Sequence, residues 1–142
     1  MNKNTLIQLR DEDFTDCLRT TLRRLRDERR YLSAEHIIAE ALASRPRRYY
    51  LSYATIASRL PKLRKSGQLN VAEGKRVNRA VGQWADINSA VDRYLSRHKR
   101  AKVAEAITYV VNFERPSRFF IPDKRARELL YSLVRPTYSL VV

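Results

Sequence analysis

The chain writes one unusual phrase twice: Arg45–Tyr50 reads RPRRYY and Arg115–Phe120 reads RPSRFF. Each phrase follows an apolar-periodic stretch. The proline in each lacks a backbone donor and biases the residue before it toward extended geometry. Both places therefore predict the end of a helix and the start of a basic, aromatic, extended arm. More recurs around the phrase, in the same order. RYLS occurs at Arg30–Ser33 and again at Arg93–Ser96, histidines follow at His36 and His98, and AEAL at Ala39–Leu42 is answered by AEAI at Ala104–Ile107. The separations of 63, 62, 65 and 70 residues require insertions, but the order holds. This predicts a duplicated helix, arm and helix unit, with related halves at about residues 11–67 and 73–135. Chance likeness between two Ala- and Arg-rich helices is the competing explanation.

Apolar spacing fills in the rest. Phe14, Cys17, Leu18, Leu22 and Leu25 recur at three and four residues, the stripe of an amphipathic helix, and Arg19, Arg23, Arg26 and Arg30 form a second, cationic stripe on the same segment. The acidic cluster Asp11, Glu12, Asp13 and Asp16 suits that helix's amino terminus, after a β-prone run at Thr5–Leu9. Ser33 and Ser52 read as caps of the next two helices, Pro61 as a break or a new turn, and Gly67 as a stop. The longest pattern runs from about Glu73 to Ser96, with Val77, Val81, Trp84, Asn88, Val91 and Leu95 on one seam. A helix over Val103–Phe113 follows, then a last one opened by Pro122 and Asp123. The closing TYSLVV is β-prone and predicts a terminal strand. The expected fold is mainly α: one compact basic domain of 142 residues, with five or six helices and a few short β-strands from the arms and termini.

Within an extended arm, alternate side chains face opposite ways. Tyr49 with Leu51, and Phe119 with Ile121, make the face expected to turn to the core. Arg48 with Tyr50, and Arg118 with Phe120, make a face that pairs a guanidinium with an aromatic ring, a combination that grips phosphate while stacking on a base. The competing use is structural, with the two arms pairing and burying both rings.

Charge gives the direction for function. With 29 Lys and Arg against 15 Asp and Glu the net charge is +14, more than solubility requires and suited to a polyanionic partner. Between Ser44 and Lys65 there are seven basic residues and no acidic one. Further patches lie at Arg93–Lys102 and Arg115–Arg127. Cations gathered this way displace counterions from nucleic acid without reading sequence. The expected phosphate contacts are Arg45, Arg47, Arg48, Lys62, Arg64, Lys65, Arg115 and Arg118, with Tyr50 and Phe120 as stacking groups. Contacts of this kind do not report the sugar, so the expected partner is DNA or RNA without distinction between them. The segment from Tyr50 to Leu69 has the flavour of a helix-turn-helix, but Pro61 interrupts it and no long recognition helix follows.

Other classes find little purchase. One cysteine, Cys17, excludes an intramolecular disulfide and thiol-rich zinc sites and reads as a small buried hydrophobe. Three isolated glycines make no phosphate-binding loop. His36, His98 and Cys17 are too scattered for a ligand set or a catalytic relay, so no metal, no cofactor and no catalytic residue is expected, and the chain reads as a non-enzyme. No apolar run approaches the roughly 20 residues of a membrane span, and no leader-like segment opens the chain. The expected setting is cytoplasmic or otherwise intracellular, association with a virion included. A second reading is a structural adaptor in a nucleoprotein particle such as a virion, which meets acidic protein partners and adds its C-terminal strand, Tyr138–Val142, to a partner's sheet.

Overall fold

The computed structural model describes residues 2–30, 33–69 and 79–141, with side chains described as far as residue 134. The described residues form six helices: α1 (Lys3–Asp27), α2 (Ala34–Leu42), α3 (Tyr53–Ser66), α4 (Arg79–Arg97), α5 (Val103–Phe113) and α6 (Asp123–Val141). Glu73 and Val77 of the expected long seam, Tyr31 and Leu32 of the first RYLS, and Gly74 lie outside the described residues. The mainly helical expectation holds. The short strands do not: among the described residues there is none.

Each departure has a physical cause. The β-prone run at Thr5–Leu9 is the first part of α1, because Leu6 and Leu9 extend the apolar stripe of Phe14 and Leu18 by further turns, and burying that stripe outweighs β propensity. Asn2 is the cap, its side chain accepting the Thr5 N–H at 2.8 Å, so the acidic cluster lies inside the helix rather than at its start. Helix α3 continues through Pro61, whose ring lies on the exposed face, and ends at Gly67, which takes the left-handed conformation at φ 71°. The tail continues α6 instead of forming a strand. A lone strand leaves its backbone unpaired, whereas a helix satisfies its own. The expected caps are in place: Ser33 accepts from the His36 N–H and Ser52 from the Thr55 N–H.

Packing produces two lobes. In the first, Phe14 and Leu18 of α1 meet Ile38, Ala41 and Leu42 of α2 and Ala126 and Leu130 of α6. In the second, Ile56 and Leu60 of α3 meet Trp84, Ile87 and Val91 of α4 and Ala106, Ile107 and Val110 of α5. Burial of side chains of this size stabilises by about 1.5–3 kcal/mol each. The connectivity is crossed. Helix α3, from the first part of the chain, completes the second lobe, and α6, from the second part, completes the first. The arms cross with them: Tyr49 is buried in the second core, Phe119 and Ile121 in the first. These are residues of the arm face expected to turn inward. Each lobe therefore needs the other's chain segment to close its core.

Candidate nucleic-acid interface

The two arms meet at the crossing and hold one another through arginine. Arg45 donates from Nε to the Pro116 carbonyl at 3.1 Å and from its terminal nitrogen to the Arg115 carbonyl at 3.1 Å. Arg115 returns the arrangement, to the Pro46 carbonyl at 3.1 Å and the Arg45 carbonyl at 2.8 Å. A proline peptide offers an acceptor without a donor, and the planar guanidinium fork spans two successive carbonyls as an ammonium does not. The arms pair by these side chains rather than as a β-ladder; the Phe119 N–H bonds to the Leu42 carbonyl at the end of α2.

Both tyrosines of the first arm are fixed by carboxylates. The Tyr50 hydroxyl donates to Asp13 at 2.6 Å and its ring stacks on Phe119, with only 8% of the residue exposed. The Tyr49 hydroxyl donates to Asp86 at 3.0 Å, and the same carboxylate accepts the Ser117 N–H at 3.0 Å. Burial, then the neighbouring carboxylate, pushes both phenols well above the ordinary tyrosine value. Asp13 and Asp86 hold the arms against α1 and α4.

The residues expected from sequence to meet nucleic acid divide accordingly. Arg45 and Arg115 have their guanidinium donors on the arm carbonyls. Arg64 bonds to Asn88 at 2.7 Å and to Asp92 at 2.8 Å, fastening α3 to α4. Tyr50 offers its ring to Phe119 rather than to the surface. Arg48 is half-buried, with a buried Nε that finds no hydrogen-bond partner among the described residues. Arg118 lies 5.9 Å from the centre of the half-buried Phe120 ring, so that guanidinium and aromatic group stay together at the surface as expected. They border a groove of about 810 Å³ with Arg79, Ser89 and Ser117. Arg47, Lys62 and Lys65 are exposed, and their side chains have no ion pair or hydrogen bond among the described residues.

Charge is distributed unevenly. Residues 1–44 carry eight Lys and Arg and eight Asp and Glu, so the whole of the +14 falls on residues 45–142. In the first lobe, most arginines are matched to acids, Arg10 and Arg125 to Asp11, Arg19 to Asp16, Arg24 to Glu40 and Arg127 to Glu35, while Lys3, Arg23, Arg29 and Lys124 have no ion pair among the described residues. In the second lobe, each acid of α4, α5 and the turn after α5 is already occupied. Asp86 holds Tyr49, Asp92 holds Arg64, Glu105 accepts the Tyr94 hydroxyl at 2.7 Å, and Glu114 lies 3.6 Å from Arg93. Arg59, Lys62 and Lys65 of α3, together with Arg97, Lys99, Arg100 and Lys102 around the α4–α5 turn, remain uncompensated among the described residues. Arg59 and the turn cations stand outside the set expected to bind, although the absence of any acid between Arg93 and Lys102 was a readable signal.

Among the described residues no helix is long and apolar enough to cross a membrane, and no group of three or more His, Cys, Asp or Glu gathers as a metal cluster. Cys17 is half-buried against the first core, its thiol 3.6 Å from the Ala41 carbonyl. Comparison with protein families, curated proteins and solved structures finds no match.

Proposed function

We propose that the protein is a non-enzymatic nucleic-acid-binding protein that works chiefly through phosphate contacts of its second lobe. The observation that supports this is the uncompensated charge there: Arg59, Lys62 and Lys65 of α3 and the cations of the α4–α5 turn have no acid within ion-pair distance among the described residues, so they are open to an external polyanion. Arg47, Arg59, Lys62, Lys65 and Arg118 form the contact set, with Phe120 beside Arg118 for stacking; Arg45, Arg64, Arg115 and Tyr50 support it by holding the arms and α3. Phosphate contacts release counterions, so binding weakens linearly with the logarithm of salt, by a slope of roughly 0.9 per phosphate on duplex DNA. The crossed halves support descent from a duplicated unit, with the cationic lobe drawing α3 from the first copy and α4 and α5 from the second.

The test is fluorescence anisotropy of the full chain with matched duplex DNA, single-stranded DNA and RNA across a salt series. Submicromolar binding with a steep negative slope is expected. Replacing Arg47, Lys62, Lys65 and Arg118 together by Ala should weaken it and shallow the slope by about 1 for each cation removed, with helicity unchanged. Unchanged affinity in that folded variant would sink the assignment. Indifference of the wild type to all three ligands would transfer the charge to an acidic protein partner and favour the adaptor, which would then dock by its basic surface, since the C-terminal segment is helix rather than a free strand.

A further inference from the structure

The outer side of the α4–α5 hairpin carries a row of aromatic rings that is half-buried at Tyr94, against the edge of the second core, and opens to solvent at His98, Tyr109 and Phe113. His98 stacks on Tyr94 at a centroid distance of 4.1 Å and an interplanar angle of 17°, Tyr94 lies 4.8 Å from Tyr109, and Tyr109 lies 5.1 Å from Phe113. The row arises from the seam of α4, which runs inward through Ile87, Ala90 and Val91 and then passes the end of the core at Tyr94 and His98. Helix α5 meets it with Tyr109 and Phe113 one turn apart, while Ala106, Ile107 and Val110 take the core side. The Tyr94 hydroxyl bond to Glu105 fixes the middle ring, so the row is built in place. At its far end Phe113 is 72% exposed. Single exposed apolar residues are ordinary, but four contiguous rings in a strongly charged chain make a surface with a purpose.

What covers such a row is told by its surroundings. His98 lies within the turn that carries Arg97, Lys99, Arg100 and Lys102, so the rings end among cations without an acid partner among the described residues; of the two acids nearby, Glu114 faces Arg93 and Glu105 accepts the Tyr94 hydroxyl. Exposed rings at His98, Tyr109 and Phe113 on a hairpin whose turn is cationic match a strand whose bases are unpaired: the rings take the base faces and the turn takes the phosphates. In a duplex the base faces are stacked on one another and out of reach. A membrane surface would want aliphatic bulk on a helix with a cationic border, and an acidic peptide would leave the ring faces unused.

We propose that the His98, Tyr94, Tyr109 and Phe113 row, with Lys99, Arg100 and Lys102, is a stacking platform for single-stranded nucleic acid. This rests on the nucleic-acid reading above and names its ligand. The protein thereby prefers single strands to duplex of the same length.

Anisotropy of the full chain with single-stranded and duplex oligonucleotides of about 16 nucleotides, long enough to cover the rings and reach the turn, tests it. Y109A/F113A, at exposed positions, should weaken single-strand binding on the order of tenfold or more, at 1–3 kcal/mol per stacked base, and leave duplex binding unchanged. F113W should retain single-strand affinity and F113L should not, since leucine keeps apolar bulk without a π face. K99A/R100A/K102A should weaken both ligands. If Y109A/F113A binds single strands like the wild type, or if F113L substitutes for Phe113, the platform is overturned while phosphate binding stands. If the wild type binds neither form, the underlying nucleic-acid assignment fails and the platform with it.

Discussion

The two lobes are built alike and charged differently. Each is a two-helix hairpin closed by a helix from the other part of the chain, and each receives an aromatic residue from the crossing arm: Phe119 in the first, Tyr49 in the second. The first lobe pairs most of its arginines with acids, leaving Lys3, Arg23, Arg29 and Lys124 without an ion pair among the described residues, and α2 carries no Phe, Tyr or Trp. The second leaves α3 and the α4–α5 turn uncompensated and sets aromatic rings on α5. The difference teaches that the skeleton and the surface answer to separate demands. The apolar stripes and arm contacts needed to close a core are kept in both lobes, while the polar positions, which closure leaves free, differ.

The comparison breaks most sharply if the lobes do not depend on one another. Phe119 packs edge-on against Phe14 at 5.2 Å and stacks on Tyr50, all within the first lobe. F119A should cost about 3–5 kcal/mol. Trp84, the single tryptophan, sits in the second lobe. Because the arms interlock, urea unfolding followed by Trp84 fluorescence should shift together with far-UV circular dichroism, as one transition. A Trp84 transition left at the wild-type midpoint would mean that the lobes unfold separately.

The next largest effect lies at the crossing. R45A removes two hydrogen bonds from a charged donor to the opposite arm, and R115A removes their counterparts; each should cost about 2 kcal/mol. R45K should not restore the loss, because an ammonium lacks the fork that spans two carbonyls. The double variant should cost less than the two singles combined, since either loss already frees both arms. Strict additivity in equilibrium unfolding would show that the two clamps act independently.

A smaller effect separates the tyrosines. Asp86 keeps the Ser117 N–H when Tyr49 loses its hydroxyl, whereas Asp13 has Tyr50 as its described partner. Y50F should therefore cost about 1 kcal/mol and Y49F less. Both phenols have a folded-state pKa raised above the unfolded value of 10.0, chiefly by burial. The folded state holds these protons more tightly, so the stabilisation is complete below that value and falls as pH climbs above it. Y49F/Y50F should flatten the alkaline limb of stability against pH. An unchanged limb would place the alkaline sensitivity elsewhere.

Much of this framework is legible in the sequence because it rests on apolar period and on proline. Ser33 and Ser52 as caps, Trp84 as core, the span of α5, and the inward turn of Tyr49 and Phe119 all follow from spacing and chain stiffness. The tail and the Thr5–Leu9 run are misread as strands because β propensity is a weak preference that a continuing helical stripe overrides. The duties of Arg45, Arg64 and Arg115 are hidden for a different reason. An arginine that clamps a carbonyl or a carboxylate and one that awaits a phosphate have the same letter, and only a partner distant in sequence tells them apart: Arg115 at a separation of 70 residues, Asp92 at 28. The aromatic row is hidden likewise, since Tyr94 and Tyr109 meet only when the hairpin closes.

The smallest expected effect is the one that separates placed charge from total charge. R19A/R24A/R26A and K99A/R100A/K102A each remove three cations, so a protein that bound polyanions by net charge alone would weaken equally in both. In the first lobe those arginines face Asp16, Glu40 and Asp27, and a cation held by an acid has little field left for a phosphate. The first variant should therefore change the salt slope of binding by less than about 1, the second by about 3. Stability should move by about 0.5 kcal/mol or less for the turn cations, whose side chains hold no partner among the described residues. Equal slopes from the two variants would erase the functional contrast between the lobes and leave only the structural one.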